Sequence, residues 1–295
     1  MSDPEVEVIR RILSENPAPQ SLAELRKFVD LDAERYPLSG YSTERISISG
    51  LQAEWAISAG ADQRRAILYL HGGGYAFGSI LSHRHLAAEI GRSSGCKSLI
   101  LDYRRAPEHP YPAAVEDAMA AYSYLLEQGM RPEHIAVVGD SAGGGLAAAT
   151  LLSIKSKRLP QPACGWLISP WVDMEATGRS YETRAQADPM VKREMILELA
   201  RMYLAGHDPK GELVSPIYAN LTGIAPLLLQ VGAAEVLLDD SLALARQAGS
   251  HDVAVQLEIW PDMIHIWHTF FPILSAARRA IANGAAFVKA RMDIQ

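Results

Sequence analysis

A serine backed by a histidine and a carboxylate can cleave an acyl bond, and this chain holds a serine in the setting that chemistry needs. Gly139-Asp140-Ser141-Ala142-Gly143 is a G-x-S-x-G that follows the β-branched residues Ile135, Val137 and Val138 and opens an Ala-rich segment. Strand, sharp turn and helix in that order put a nucleophile on a strained turn. Glycines two residues to either side let neighbouring backbone approach. The helix start behind Ser141 adds unpaired N–H groups and a dipole that favours a developing anion. A plain N-cap serine is the competing use of such a residue.

A second cluster, His71-Gly72-Gly73-Gly74, closes an apolar run. Three successive glycines can turn backbone N–H groups toward one point, so Gly73 and Gly74, with Ala142 after the nucleophile, are candidate oxyanion-hole donors. Losing one such donor costs about 3 kcal/mol of transition-state stabilisation. The competing use is an ordinary glycine turn. Gly143 to Ala148 also satisfies a loose G-x-G-x-x-A, which makes an oxidoreductase the rival from another class. No carboxylate follows at the distance needed to hold a ribose, the first being Asp173, so close helix packing explains these glycines better.

The elements that must position these residues read as alternation. Strand-like runs occupy 44–49, 53–58, 65–70, 98–102, 135–139, 165–169, 227–232 and 255–260. Helical patterns follow Ser79 and cover 112–128, 142–157 and 239–248. The expected fold is α/β: a mostly parallel eight-stranded sheet flanked by helices, with an antiparallel hairpin around Gly50 at one edge. Two segments fall outside the alternation. Residues 1–40 carry Val6, Ile9, Leu13, Leu22, Leu25 and Val29 at helical spacing around Asn16-Pro17-Ala18-Pro19. The other lies at about 178–215, with a helix expected over 189–204. Both read as parts of a helical cap, or equally as cover for a sheet edge, on a catalytic domain spanning 41–295.

At 48% hydrophobic and 21% charged, 295 residues suffice for one large core. A formal net charge of −6 with no long Lys/Arg run excludes a phosphate-compensating surface, so nucleic acid is not an expected partner. The acidic N-terminus has no secretory pattern, and no run of about 18 uncharged apolar residues follows. A cytoplasmic protein without stable membrane association is the expectation. Cys96 and Cys164 read as buried small hydrophobes, a single bridge between them being the alternative.

Three blocks in order, HGGGYAFGS at 71–79, LDYRRAPEHPYPAAVEDA at 101–118 and VVGDSAGGGLA at 137–147, resemble the bacterial hormone-sensitive-lipase-like esterases, a branch of the α/β-hydrolases. The likeness continues through SPWVDM at 169–174, VGAAEVLLDD at 231–240 and DMIHIW at 262–267. It implies a triad in the order nucleophile, acid, histidine. His265 then matches the base, with His268 one helical turn later as its competitor. Glu235 occupies the position where the family usually carries Asp, and its extra methylene must be absorbed by the loop or the rotamer. Asp239, Asp240 and Asp262 are the other candidates for the acid.

The resemblance further implies hydrolysis of short- to medium-chain acyl esters with no metal and no organic cofactor. Trp171, Met190, Met202 and Tyr203 are then pocket walls or, equally, buried cap core. An amidase or carbamate hydrolase would use the same residues. A ligand receptor on this fold is the alternative outside hydrolysis, and it loses the triad histidine that His265 here supplies. Asp102, Arg104, Glu108 and Glu116 read as structural ion pairs behind the site, and Arg105, where relatives carry Leu, as a solvent-exposed change. The last strand offers an edge for a homodimer.

Overall fold

Strands covered on both faces read as continuous apolar runs, and the central strands here are buried along their whole length. The computed structural model describes residues 3–33 and 39–292, so positions 1–2 and 34–38 of the expected N-terminal cap segment and the last three of the catalytic segment lie outside the described residues. The strands are β1 (Tyr41–Ile48), β2 (Leu51–Ser58), β3 (Asp62–Leu70), β4 (Cys96–Leu101), β5 (Ile135–Asp140), β6 (Cys164–Ile168), β7 (Leu227–Gly232) and β8 (Val255–Trp260). All eight coincide with expected runs. They form one sheet in the order β1-β2-β4-β3-β5-β6-β7-β8. β1 and β2 pair antiparallel across Ser49 and Gly50, both at positive φ (51° and 85°), as a two-residue hairpin requires. β2 is antiparallel to β4, and the remaining pairs are parallel.

The helices are α1 (Pro4–Glu15), α2 (Leu22–Ala33), α3 (Ile80–Ser94), α4 (Ala113–Glu127), α5 (Ala142–Ser156), α6 (Ser180–Thr183), α7 (Arg193–Leu204), α8 (Leu238–Ser250) and α9 (Ser275–Arg291). α3 and α9 bury Leu86, Ile90, Ile281 and Val288 on one face of the sheet. α4, α5 and α8 bury Ala118, Leu146, Leu151 and Leu244 on the other. After β3 the chain crosses to β4 on one side, then returns past β3 to β5 on the other. The loops leaving the C-terminal ends of β3 and β5 therefore diverge to opposite faces, and open α/β sheets bind ligands in the crevice at such a switch. Gly73 and Gly74 lie on one of these loops and Ser141 on the other.

α9 has no counterpart among the expected elements. Its buried residues are Ala276, Ala277, Ala280, Ile281, Gly284, Ala285, Phe287 and Val288, mostly small side chains with little hydrophobic contrast. α7 begins at Arg193 rather than 189, because the Asp188 carboxylate accepts from Met190 N and Val191 N at 2.8 and 2.9 Å and holds that stretch as a turn. α1 buries Val6 and Ile9 with Met263, Ile264 and Trp267, while α2 lies against α3.

Gly284 sets the approach of α9: a Cβ there would stand 2.0 Å from Trp166 Cζ2. The ring is fully buried and its Nε1 donates to Gln230 Oε1 at 2.9 Å, so it cannot easily give way. Gly284→Ala should therefore destabilise by about 1–3 kcal/mol through overpacking, outweighing the helix-propensity gain of about 1 kcal/mol. Urea unfolding checks this, and a raised midpoint would mean that α9 shifts freely.

Candidate active site

Ser141 joins the buried end of β5 to α5 at φ 54° and ψ −121°, a conformation that non-glycine residues seldom adopt. Its N–H donates to Ile168 O at 2.8 Å, and its carbonyl accepts from Gly144 N, Gly145 N and Trp171 N at 2.9–3.1 Å. The flanking glycines have a steric reason. A Cβ on Gly139 would lie 2.2 Å from Gly143 O, and one on Gly143 would lie 2.0 Å from Leu70 O.

The loops after β7 and β8 deliver a carboxylate and an imidazole to this turn. His265 Nε2 stands 3.0 Å from Ser141 Oγ, and its Nδ1 stands 2.7 Å from Glu235 Oε2. The carboxylate as acceptor fixes the proton on Nδ1 and leaves the Nε2 lone pair facing the hydroxyl. Glu235 Oε1 accepts from Gly232 N at 2.5 Å and from Ser169 Oγ at 2.8 Å. Ser169 Oγ in turn accepts from Ile266 N at 3.2 Å, tying the histidine loop to the same hydroxyl. Glu235 is fully buried, and His265 is buried beside it. Burial opposes a charged His265. The Glu235 hydrogen bond and charge outweigh it, so the imidazole pKa lies above its ordinary value.

The competing candidates are engaged elsewhere. Asp239 accepts from Ser180 N at 2.9 Å. Asp240 accepts from Val172 N and Asp173 N at 2.9 and 3.0 Å, and burial holds its carboxyl well above the usual range. Asp262 is exposed. His268 is buried, sits 2.9 Å from Gln230 Oε1 through Nε2, and is pushed down to about 3 by burial. None of these joins the Ser141 hydroxyl.

Across the crevice, Gly73 and Gly74 have φ of 113° and 58°. A Cβ on Gly73 would stand 2.2 Å from Phe77 O, and one on Gly74 would stand 2.5 Å from Leu199 Cδ1. Among the described residues, the N–H groups of Gly73, Gly74 and Ala142 donate to no protein acceptor. Asp140, pointing away from the nucleophile, accepts from Tyr69 OH at 2.7 Å and Gly72 N at 3.1 Å, and faces His83 Nε2 at 3.3 Å. The base of the glycine loop is thus fastened to β5. Arg105 is not the exposed change that the sequence suggests: it is half-buried and donates to Gly78 O.

Of the candidate pocket residues, Trp171 is fully buried, with its N–H on Ser141 O and its Nε1 donating to Asp173 O at 3.0 Å. Tyr203 is buried and stacks on Tyr75 at 3.7 Å between ring centres. Met190 and Met202 are half-buried against the core. Tyr75, Leu199, Ser169 and Asp188 escaped the sequence reading. Tyr75 and Ser169 lie within the blocks HGGGYAFGS and SPWVDM, which carry the only local signal for them. Arg104 pairs with Asp117 at 2.6 Å and Glu116 at 3.2 Å, as expected of a structural pair. Among the described residues, no group of three His, Cys, Asp or Glu side chains could hold a metal ion.

The profile of the alpha/beta hydrolase fold family matches residues 67–269. An acetyl-hydrolase from Streptomyces hygroscopicus is 42% identical over 292 residues, covering 98% of this chain and 97% of that protein. A crystal structure of an esterase from the bacterial hormone-sensitive lipase family superposes with a TM-score of 0.96 at 43% identity, covering 99% of both chains. The esterase EstE5, in a crystal soaked with p-nitrophenyl butyrate, superposes with a TM-score of 0.94 at 44% identity, covering 99% of this chain and 100% of that one. The crevice at the β3/β5 switch, with its serine, histidine and carboxylate, is therefore that of an α/β-hydrolase, and the chain belongs to the bacterial hormone-sensitive-lipase branch of that family.

Proposed function

We propose that this chain is a serine carboxylesterase that hydrolyses short- to medium-chain acyl esters, with Ser141, His265 and Glu235 as its triad. The observation that carries the reading is the unbroken hydrogen-bonded path from Ser141 Oγ through His265 to Glu235, facing unpaired N–H groups of Gly73, Gly74 and Ala142. An ester carbonyl oxygen enters among those donors, and Ser141 Oγ attacks the carbon as His265 Nε2 takes its proton. The tetrahedral adduct collapses, the leaving alcohol takes that proton, and an acyl-serine remains. Water deprotonated by the same nitrogen then releases the acid and restores the hydroxyl. No step calls on a metal or an organic cofactor.

The helices α1, α2, α6 and α7 form the cap in this reading. Tyr203 and Leu199 of α7 reach Tyr75 and Gly74, which supports α7 as a wall of the acyl pocket. Exposed Ile259 on the edge strand β8 supports a homodimer through that edge. Cys96 and Cys164 are free, buried thiols, in keeping with a reducing cytoplasm. Among the described residues no helix is long and apolar enough to cross a membrane.

Hydrolysis of p-nitrophenyl esters should peak at a short or medium acyl length, persist in chelator, and vanish in Ser141→Ala. Turnover of amides alone by folded protein would move the assignment to an amidase. Gly73→Ala keeps the N–H but drives a Cβ into Phe77 O at φ 113°, so it displaces that donor and should lower kcat by roughly 10²-fold or more.

Removing the Glu235 charge removes what raises the His265 pKa. The base acts when neutral, so activity falls as pH drops through that raised value. Glu235→Gln should lower kcat by roughly 10⁴-fold and move the acid limb of kcat/KM to lower pH. An acid limb left in place would show that another carboxylate supplies the charge.

A further inference from the structure

The loop from Gly73 to Gly78 holds Gly73, Gly74, Tyr75 and Gly78 at positive φ, a backbone shape that its own hydrogen bonds only partly fix. Gly73 O accepts from Ala76 N and Phe77 N at 2.9 and 2.8 Å, while the outward carbonyls are held from elsewhere. Ala106 N donates to Tyr75 O at 2.8 Å, and Arg105 donates to Gly78 O. Ala76 O is taken by Arg26 Nε at 2.8 Å. The same guanidinium donates through Nη2 to Ala106 O at 2.9 Å, and it meets both oxygens of Glu108 at 2.7 Å. Ala76 and Ala106 are both fully buried, so each carbonyl needs a partner from the protein. One turn further along α2, Asp30 accepts from Ser79 Oγ at 2.5 Å. Residues 26 and 30 share a helix face, so α2 grips the outer side of the loop at two points.

We infer that Arg26 is a positioning residue for the oxyanion hole: its guanidinium, from the N-terminal helix, holds the Ala76–Phe77 peptide, whose N–H in turn holds Gly73 O, the carbonyl of the peptide that carries the Gly74 N–H. This rests on the oxyanion role proposed for those glycines. Arg26 bridges Ala76 O and Ala106 O, two strands of backbone that converge behind the hole, and Glu108 fixes the plane of the fork. A lysine has one donor centre and cannot span both carbonyls in that plane. The N-terminal segment is by this account part of the machinery for stabilising charge, and not only a wall over the substrate.

The test compares Arg26→Met, Arg26→Lys and Gly73→Ala with the wild type in three readouts: kcat and KM for p-nitrophenyl butyrate, Ki for butylboronic acid, and the unfolding midpoint. The boronate forms a tetrahedral adduct on the serine, so its affinity reports the hole rather than ground-state binding. Arg26→Met should lower kcat and raise the boronate Ki by a similar factor, roughly tenfold or more, with KM changed less than threefold. Arg26→Lys, which retains the charge beside Glu108, should show the same paired change to a smaller extent. Should Arg26→Met fail to fold, the lysine variant decides by that ratio. A lowered midpoint with kcat and Ki within twofold of wild type makes Arg26 merely structural and overturns the inference, provided Gly73→Ala is impaired. Unimpaired Gly73→Ala, in which the Cβ must displace the peptide from Phe77 O, overturns the oxyanion assignment itself and takes the inference with it.

Discussion

The backbone of Ser141 sits where a non-glycine residue costs about 1–3 kcal/mol, and the surrounding sheet over-determines it. Four hydrogen bonds to its own peptide groups, from β6, from the loop after β6 and from the first turn of α5, leave it no relaxed alternative. The glycines at 139 and 143 follow from that choice, since any side chain there would overlap backbone of α5 or of the β3 end. Turning the serine outward at the end of β5 aims its hydroxyl into the crevice made by the strand-order reversal. The positions of the other groups are then set by which loops reach that point: the one after β3 from one side, and those after β7 and β8 from the other.

The carboxylate shows how a longer side chain is fitted to that geometry. Glu235 is anchored at one oxygen by Gly232 N and Ser169 Oγ, which leaves the second oxygen directed at His265. Asp188 accepts from Val236 N at 2.9 Å and so fastens the turn just beyond Glu235 to the segment that precedes α7. A Cβ at position 232 would stand 2.1 Å from Met263 O, so the turns carrying the acid and the base approach closely only because that residue is glycine. The extra methylene is absorbed by a turn tied down on both sides, and the imidazole is met at 2.7 Å.

What was readable in the sequence was whatever a local backbone demand writes into neighbouring residues. The elbow glycines, the glycine loop after β3 and the alternation of β-branched runs with helical stretches each declare a conformation within a few positions. Glu235 was readable through its block and not through its surroundings, because Ser169 reaches it from 66 residues away in sequence and Asp188 reaches its neighbour Val236 from 48. α9 was not readable because its alanine and glycine face matches a tryptophan by shape rather than by hydrophobic contrast. Arg105 misled for a related reason: a long side chain can lay its stem along the surface and still deliver a donor to a buried carbonyl.

Leaving the N–H groups of Gly73, Gly74 and Ala142 without protein acceptors runs against the general rule for buried backbone, where an unpaired donor costs about 1–3 kcal/mol. In the same loop the Gly72 N–H and the carbonyls of Gly73, Tyr75, Ala76 and Gly78 all have partners. The loop is therefore pinned through four of its carbonyls, while the donors that face Ser141 are left open. Donors left open in the resting protein gain most from an oxygen that becomes an anion, and they gain it without reorganising. The outer partners hold the planes in place while the inner ones wait. The stability forgone on one face of the loop is thereby recovered only while a tetrahedral adduct occupies it, which is the condition for lowering a barrier rather than deepening a ground state.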